Sequence, residues 1–240
     1  MDKTVPPGAA ILLDFIRETE VGKSDRASYD VIYDNKQHKL KQPLTTMNYG
    51  DIVDAQKAWS KNHGSSAAGG YQFMRATLIG IAKEIPSISG KDIFTPDLQD
   101  RLGYHLLKRR GYQEFVTGNM MLEDFARRLA MEWASFPVLA ACKGSHRMVK
   151  RGQSFYAGDG LNKALVAPEK VEAVLKEVLE VARRPVDIQP KPEALEPNRT
   201  KPTPKPAPKG GVAALLAAAA LGLWAWLASI PCNLFGAFCG

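Results

Sequence analysis

Apolar residues at three-to-four spacing mark most of the first 184 positions as helical. In ILLDFIRETE, Ile11 to Glu20, the residues Leu12, Leu13, Phe15 and Ile16 form one buried stripe, entered through Pro6, Pro7 and Gly8 and stopped before Gly22. Beyond Gly22 the period changes. Tyr29, Val31 and Tyr33 alternate with Asp30, Ile32 and Asp34, which predicts a short strand followed by a turn at Asp34-Asn35. A second extended piece is predicted at Leu44 to Met47, and the polar, poorly periodic sequence up to Trp59 reads as the loops of a small hairpin lobe. Helical spacing returns at about Arg75 to Lys83. Thr95 as N-cap with Pro96 at the first helical position then starts a helix that runs to Arg110, with Leu98, Leu102, Leu106 and Leu107 on its apolar face. Leu122 to Trp133 follows, with Phe125, Leu129, Ala130 and Trp133 inward and Pro137 just beyond. A last helix spans about Pro168 to Arg183, burying Val171, Val174, Leu175, Val178 and Leu179. The fold class is α+β and mostly helical, with a small β-hairpin lobe.

After Arg184 the composition breaks. Residues 185–209 carry eight prolines and read as a Pro/Lys-rich linker, extended and semi-rigid rather than folded. Residues 210–230, GGVAALLAAAALGLWAWLASI, hold no charge and are long enough for a single C-terminal transmembrane helix, with Trp224 and Trp226 suited to a membrane interface. A short tail, 231–240, carries Cys232 and Cys239, close enough to pair in an oxidising compartment. The net charge of +7 divides into +5 over residues 1–184 and +2 over the linker. A mildly basic domain suits a polyanion: nucleic acid, an anionic membrane face or an acidic cell-wall polymer. Aromatic residues are not interleaved with basic ones in a stripe, so nucleic acid is set aside.

Few routes to chemistry remain. There is no G-x-G-x-x-G, Walker loop or G-x-S-x-G, the four histidines are scattered, and no two cysteines stand as C-x-x-C, so neither a cofactor nor a metal is called for. Cys142 reads as a small core residue. The carboxylates that close the first helix are more informative. On a helical wheel Glu20 falls near Leu13 and Ile16 on the apolar side, whereas Glu18 faces solvent. A partly desolvated carboxylate gains a raised pKa and can act as a general acid near neutral pH. Asp25, Asp30 and Asp34 are candidate partners for it, though turn capping or plain surface placement is the simpler reading of each. In HGSSAAGGYQFMRATL, the small residues from Gly64 through Ser66 to Gly70 permit close backbone approach, and Tyr71-Gln72 then brings a ring and an amide to one corner, the makings of a sugar site. A tight turn packed by Tyr71 fits the same spacing equally well. Phe155 and Tyr156 in SFYAGDG are further ring platforms beside the basic loop KGSHRMVKRG.

Over residues 12–182 the chain resembles the lambda-type phage endolysins, the lysozyme-like lytic transglycosylases. The resemblance rests on LLDFIRETE, YDVI at Tyr29 to Ile32, SSAAGGYQF, FTPDLQD, RRG, WASFP at Trp133 to Pro137 and GQSFYAGDGLNKAL, in that order. It implies a peptidoglycan-cleaving domain at 1–184 with Glu20 as the catalytic acid. Val21 separates Glu20 from Gly22 where family members commonly place glycine directly after the acid, so Glu18 is the alternative register. The candidate substrate-binding residues are Tyr71, Gln72, Ser66, Tyr29, Asp30, Phe155 and Tyr156. The implied reaction cleaves the MurNAc-GlcNAc β-1,4 bond to 1,6-anhydromuramyl products. A second acid is then dispensable, because the muramyl C6 hydroxyl replaces water.

The expected partners are peptidoglycan glycan strands, the lipid bilayer, and virion or lysis proteins. Nothing at the N-terminus resembles a signal peptide, and the lysines before residue 210 favour a cytoplasmic start. The expected localisation is therefore a membrane-anchored enzyme, on the host inner membrane or an internal virion membrane, that reaches the periplasmic wall during entry or lysis. Two other functions fit the same residues: a hydrolytic muramidase, and a non-enzymatic membrane-anchored virion scaffold or wall-binding protein.

Overall fold

The computed structural model describes residues 1–184. Seven α-helices are found there: α1 Pro7–Val21, α2 Tyr49–His63, α3 Arg75–Glu84, α4 Pro96–Arg109, α5 Tyr112–Val116, α6 Leu122–Glu132 and α7 Pro168–Arg183. The one sheet among these residues is a pair of two-residue antiparallel strands, β1 Cys142–Lys143 and β2 Met148–Val149.

Helix α1 is the axis of the core. It begins at Pro7, five residues before the stripe that opens at Leu12, because proline at the first helical position has no donor to lose. Leu12, Leu13 and Ile16 are fully buried. Gly22, at φ 73°, ends the helix and returns its N–H to the Glu18 carbonyl at 2.9 Å. Helix α7 lies against α1 through Val171, Leu175 and Val178, spaced one turn apart. Gly8 makes this approach possible, since a Cβ there would come within 3.0 Å of the Val178 carbonyl oxygen. Thr95 caps α4, accepting from the Leu98 N–H at 3.1 Å.

The predicted hairpin lobe is corrected. Tyr29 to Tyr33 is not a strand: 3-10 turns at Arg26–Asp30 and Tyr33–Asn35 flank a short extended piece that meets Ala68 through a single bridge at Ile32. Val31, Ile32 and Tyr33 are all buried in succession, so burial does not alternate along this piece as it would in a half-buried strand. Leu44–Thr46 is likewise a 3-10 turn. Asp30 accepts from the Thr45 N–H at 2.8 Å and Thr46 Oγ1 donates to the Pro43 carbonyl, local bonds that displace a ladder. The polar stretch before Trp59 is helix α2, whose inward face runs Tyr49, Ile52, Gln56 and Trp59 at helical spacing. Gln56, polar in the middle of that face, hides the period. The sheet itself falls in the basic loop, with Cys142 half-buried on β1.

The fold class also loses its membrane element. Among the described residues no helix is long and apolar enough to cross a membrane. The segment 210–230, on which the transmembrane helix was expected, lies outside the described residues, as do the linker 185–209 and the tail 231–240. The expectations of a lipid-bilayer partner and of membrane anchoring rest on that segment, and no described helix supports them.

Candidate functional site

Glu20 stands one residue before the end of α1, where the helix leaves the core. Its carboxylate faces the segment after α6, and Ser135 Oγ donates a hydrogen bond to Glu20 Oε1. Ser135 is held from its other side too, its carbonyl accepting from the Leu165 N–H at 2.8 Å. Burial disfavours the charged carboxylate and raises its pKa from an ordinary 4.5 to about 7, although the serine bond pulls the other way. Glu18, two residues earlier, is exposed.

Two clefts meet at this carboxylate. One, of about 330 Å³, is walled by Val31, Ile32, Asp34, Asn35 and Leu165. The other, of about 340 Å³, is walled by Met74, Glu132, Trp133, Tyr156 and Asn162. Glu20 and Gln72 line both, so they stand at the junction of a groove that continues to either side. A larger cleft, about 450 Å³, opens between the 85–92 loop and α4 and shares no lining residue with these two. The smaller pair is the candidate site, because there a carboxyl group near neutrality meets open space.

Gln72 reaches the junction through a tight turn. Ala68 and Phe73 exchange two backbone bonds, Gly69 sits at φ 76° and Gln72 itself at φ 48°. A Cβ on Gly69 would lie 2.3 Å from Gln99 Oε1, and one on Gly70 would lie 2.6 Å from the Arg17 side chain. The small-residue run therefore makes its close approach inside the protein. Gln99 Oε1 accepts from the Gly70 N–H at 3.0 Å and its amide donates to the Tyr29 and Phe94 carbonyls, while Gln56 donates to the Ser66 and Phe73 carbonyls. Trp133 Nε1 donates to the Tyr71 carbonyl at 3.2 Å, tying this turn to the segment that carries Ser135.

The other sequence candidates are dispersed. Tyr71 and Tyr29 are core residues, 1 % and 4 % exposed, and offer no ring face to a sugar. Their hydroxyls donate to Asp100 Oδ1 at 2.6 and 2.8 Å beneath the turn, with Arg17 completing a buried network. Burial pushes both phenol pKa values up. Ser66 Oγ accepts from the Arg75 N–H at the start of α3, and Asp30 caps Thr45. Phe155 is half-buried against the core with its ring edge-on to Tyr156. Tyr156 does line the second cleft, with its hydroxyl donating to the Met131 carbonyl at 2.7 Å. Glu132 is a second carboxylate on that wall, but Arg109 and Arg110 clamp it at 3.1 and 2.7 Å. Ser135, Asp100 and Arg17 were not singled out from sequence. Each stood inside a segment that carries the family resemblance: Arg17 in LLDFIRETE, Asp100 at the end of FTPDLQD and Ser135 in the middle of WASFP.

Among the described residues no cluster of three or more metal-binding side chains occurs. Residues 10–161 match the family model described as Endolysin. No curated protein and no solved structure matches the chain.

Proposed function

This chain belongs to the endolysin family of lysozyme-like phage lytic enzymes, and from that premise we propose that it is a peptidoglycan lytic transglycosylase in which Glu20 is both acid and base. The observation that carries the reading is a carboxyl group with a pKa of about 7 at the junction of two clefts, with one hydroxyl, that of Ser135, bonded to it. At neutral pH a large fraction of Glu20 holds its proton. A glycan strand laid along the groove presents its β-1,4 oxygen there, and Glu20 protonates it as the C1–O4 bond of the muramyl residue breaks. The C6 hydroxyl of the same residue then attacks C1 and gives its proton to the Glu20 carboxylate. The 1,6-anhydro ring is closed, no water is consumed, and Glu20 is again protonated.

Ser135 serves both halves of that cycle. Its hydroxyl orients the acid and stabilises the carboxylate produced by the first step. Gln72, whose Oε1 has no partner among the described residues while its amide donates to the Gly69 carbonyl at 2.8 Å, is placed to accept from a sugar hydroxyl or N-acetyl N–H. Glu132 is spoken for by two arginines, which suits a mechanism with one working carboxylate.

The test is wall clearance by the full chain. Glu20→Gln should lower the rate by several orders of magnitude, while Glu18→Gln should leave it near the parent's. A Glu20→Gln protein that clears wall suspensions at near-parent rate would remove Glu20 from the mechanism.

A further inference from the structure

Three non-glycine residues among those described hold a positive φ: Asp34 at 49°, Asn35 at 56° and Gln72 at 48°. All three line the same cleft, beside Glu20. A left-handed backbone is uncommon for residues with a Cβ; Asp and Asn adopt it more readily than most, whereas at Gln72 it needs support from the surroundings. For Gln72 the tight turn after Gly69 supplies part of the reason. Asp34 and Asn35 are two consecutive left-handed residues on the opposite strand of chain, anchored by buried neighbours. The Tyr33 N–H donates to the Ala67 carbonyl at 3.0 Å, the Asn35 N–H to the Ile32 carbonyl at 3.1 Å, and the Tyr33 ring stacks on His63.

The fold makes little use of the two side chains. Asp34 is 65 % exposed, and its carboxylate is bonded, among the described residues, to Lys36 alone at 3.0 Å. An exposed pair of this kind contributes little to stability. Asn35 is exposed, with no side-chain hydrogen bond to another described residue. Glycine at either position would carry the same φ without a Cβ penalty. What these positions hold instead is a carboxylate and a carboxamide, on the lining of a cleft that Gln72 also lines.

We propose that Asp34 and Asn35 are substrate-binding residues that, with Gln72, hydrogen-bond the hydroxyl and acetamido groups of an N-acetylated glycan on one side of Glu20. This rests on the reading of the groove as a peptidoglycan site. A carboxylate accepts from sugar hydroxyls, and a carboxamide both accepts the acetamido N–H and donates to its carbonyl, so the pair is matched to amino sugars carrying an acetyl group rather than to plain hexoses.

The experiment separates binding from folding. The full chain carrying Glu20→Gln, which lacks the acid, is titrated with a β-1,4-linked N-acetylglucosamine oligomer. Versions that add Asp34→Gly, Asn35→Gly or both are titrated alongside, and each protein is melted thermally. Each lost hydrogen bond should weaken binding by up to about tenfold, so the double replacement should weaken it by up to about a hundredfold while Tm holds or rises. Unchanged affinity in the double variant overturns the proposal. So does a loss of affinity accompanied by a Tm lowered by several degrees, which would return the two residues to the fold, and so does an absence of oligomer binding before they are replaced. Failure of the catalytic reading is seen elsewhere, in muropeptide release by the chain with native Glu20, and leaves this titration standing.

Discussion

Replacing Glu20 by glutamine should stabilise the folded domain at alkaline pH, and the size of the effect follows from the site. Burial lifts the Glu20 pKa from 4.5 to about 7, so the folded state holds a proton that the unfolded chain has released. Below pH 4.5 both states are protonated and the group contributes no pH dependence. Between pH 4.5 and 7 the folded state binds more protons than the unfolded one, so stability falls as pH rises; above 7 both are ionised and the loss is complete. At about 1.4 kcal/mol per pKa unit, the full loss is about 3 kcal/mol. Glutamine is neutral throughout and keeps an amide for Ser135. The unfolding free energies of parent and variant should therefore diverge through that window, leaving the variant ahead by up to about 3 kcal/mol at pH 8. For a domain of this size that is on the order of 10 °C in Tm. Urea melts at half-unit steps from pH 4 to 8.5 measure it. Parallel curves would mean that the Glu20 carboxylate is not held in a desolvating site, and the argument for a proton available at neutral pH would fall with them.

Other replacements probe the surroundings. Ser135→Ala removes the bond that favours the ionised carboxylate, so the alkaline limb of the kcat/KM profile should move upward by up to about one pH unit; an unmoved limb would mean that the serine does not act on the acid. Asp100→Ala strips the shared acceptor from Tyr29 and Tyr71 and leaves Arg17 with less counter-charge, at a cost of about 3 to 5 kcal/mol in urea melts. Gly69→Ala combines a left-handed backbone with a Cβ 2.3 Å from Gln99 Oε1, and should cost about 2 kcal/mol or more while weakening oligomer binding through displacement of Gln72; near-parent stability would show that the turn is more compliant than its contacts imply.

The helices were legible in the sequence where an apolar period was unbroken or a cap was written out. Thr95-Pro96 and Gly111 bracket α4 within a residue of the reading, and Val171, Leu175 and Val178 mark α7 directly. Helix α2 was hidden because Gln56 occupies a core position, and the two carbonyls that its amide satisfies lie ten and seventeen residues away. The lobe after Gly22 misled in the opposite direction. Tyrosines at alternate positions look like one face of a strand, but here Tyr29 points at Asp100 across 71 residues and Tyr33 stacks on α2.

Similar reasoning divides the site. The inward placement of Glu20 at the end of α1 was legible from the helical wheel, because a helix end is local geometry. Tyr71 was misjudged as a sugar platform since nothing local reveals that a buried aspartate waits for its hydroxyl. Ser135 approaches Glu20 across 115 residues, a pairing that only the packing of the post-α6 segment on α1 creates.

The most direct test of the account is the mass of the products. Purified peptidoglycan digested by the full chain should release muropeptides whose muramyl ends are each one water lighter than the reducing form and resist borohydride, because the C6 hydroxyl has closed on C1. Muramyl ends at the full reducing mass, converted by borohydride to the alditol, would contradict the single-carboxylate mechanism and make the enzyme a hydrolase.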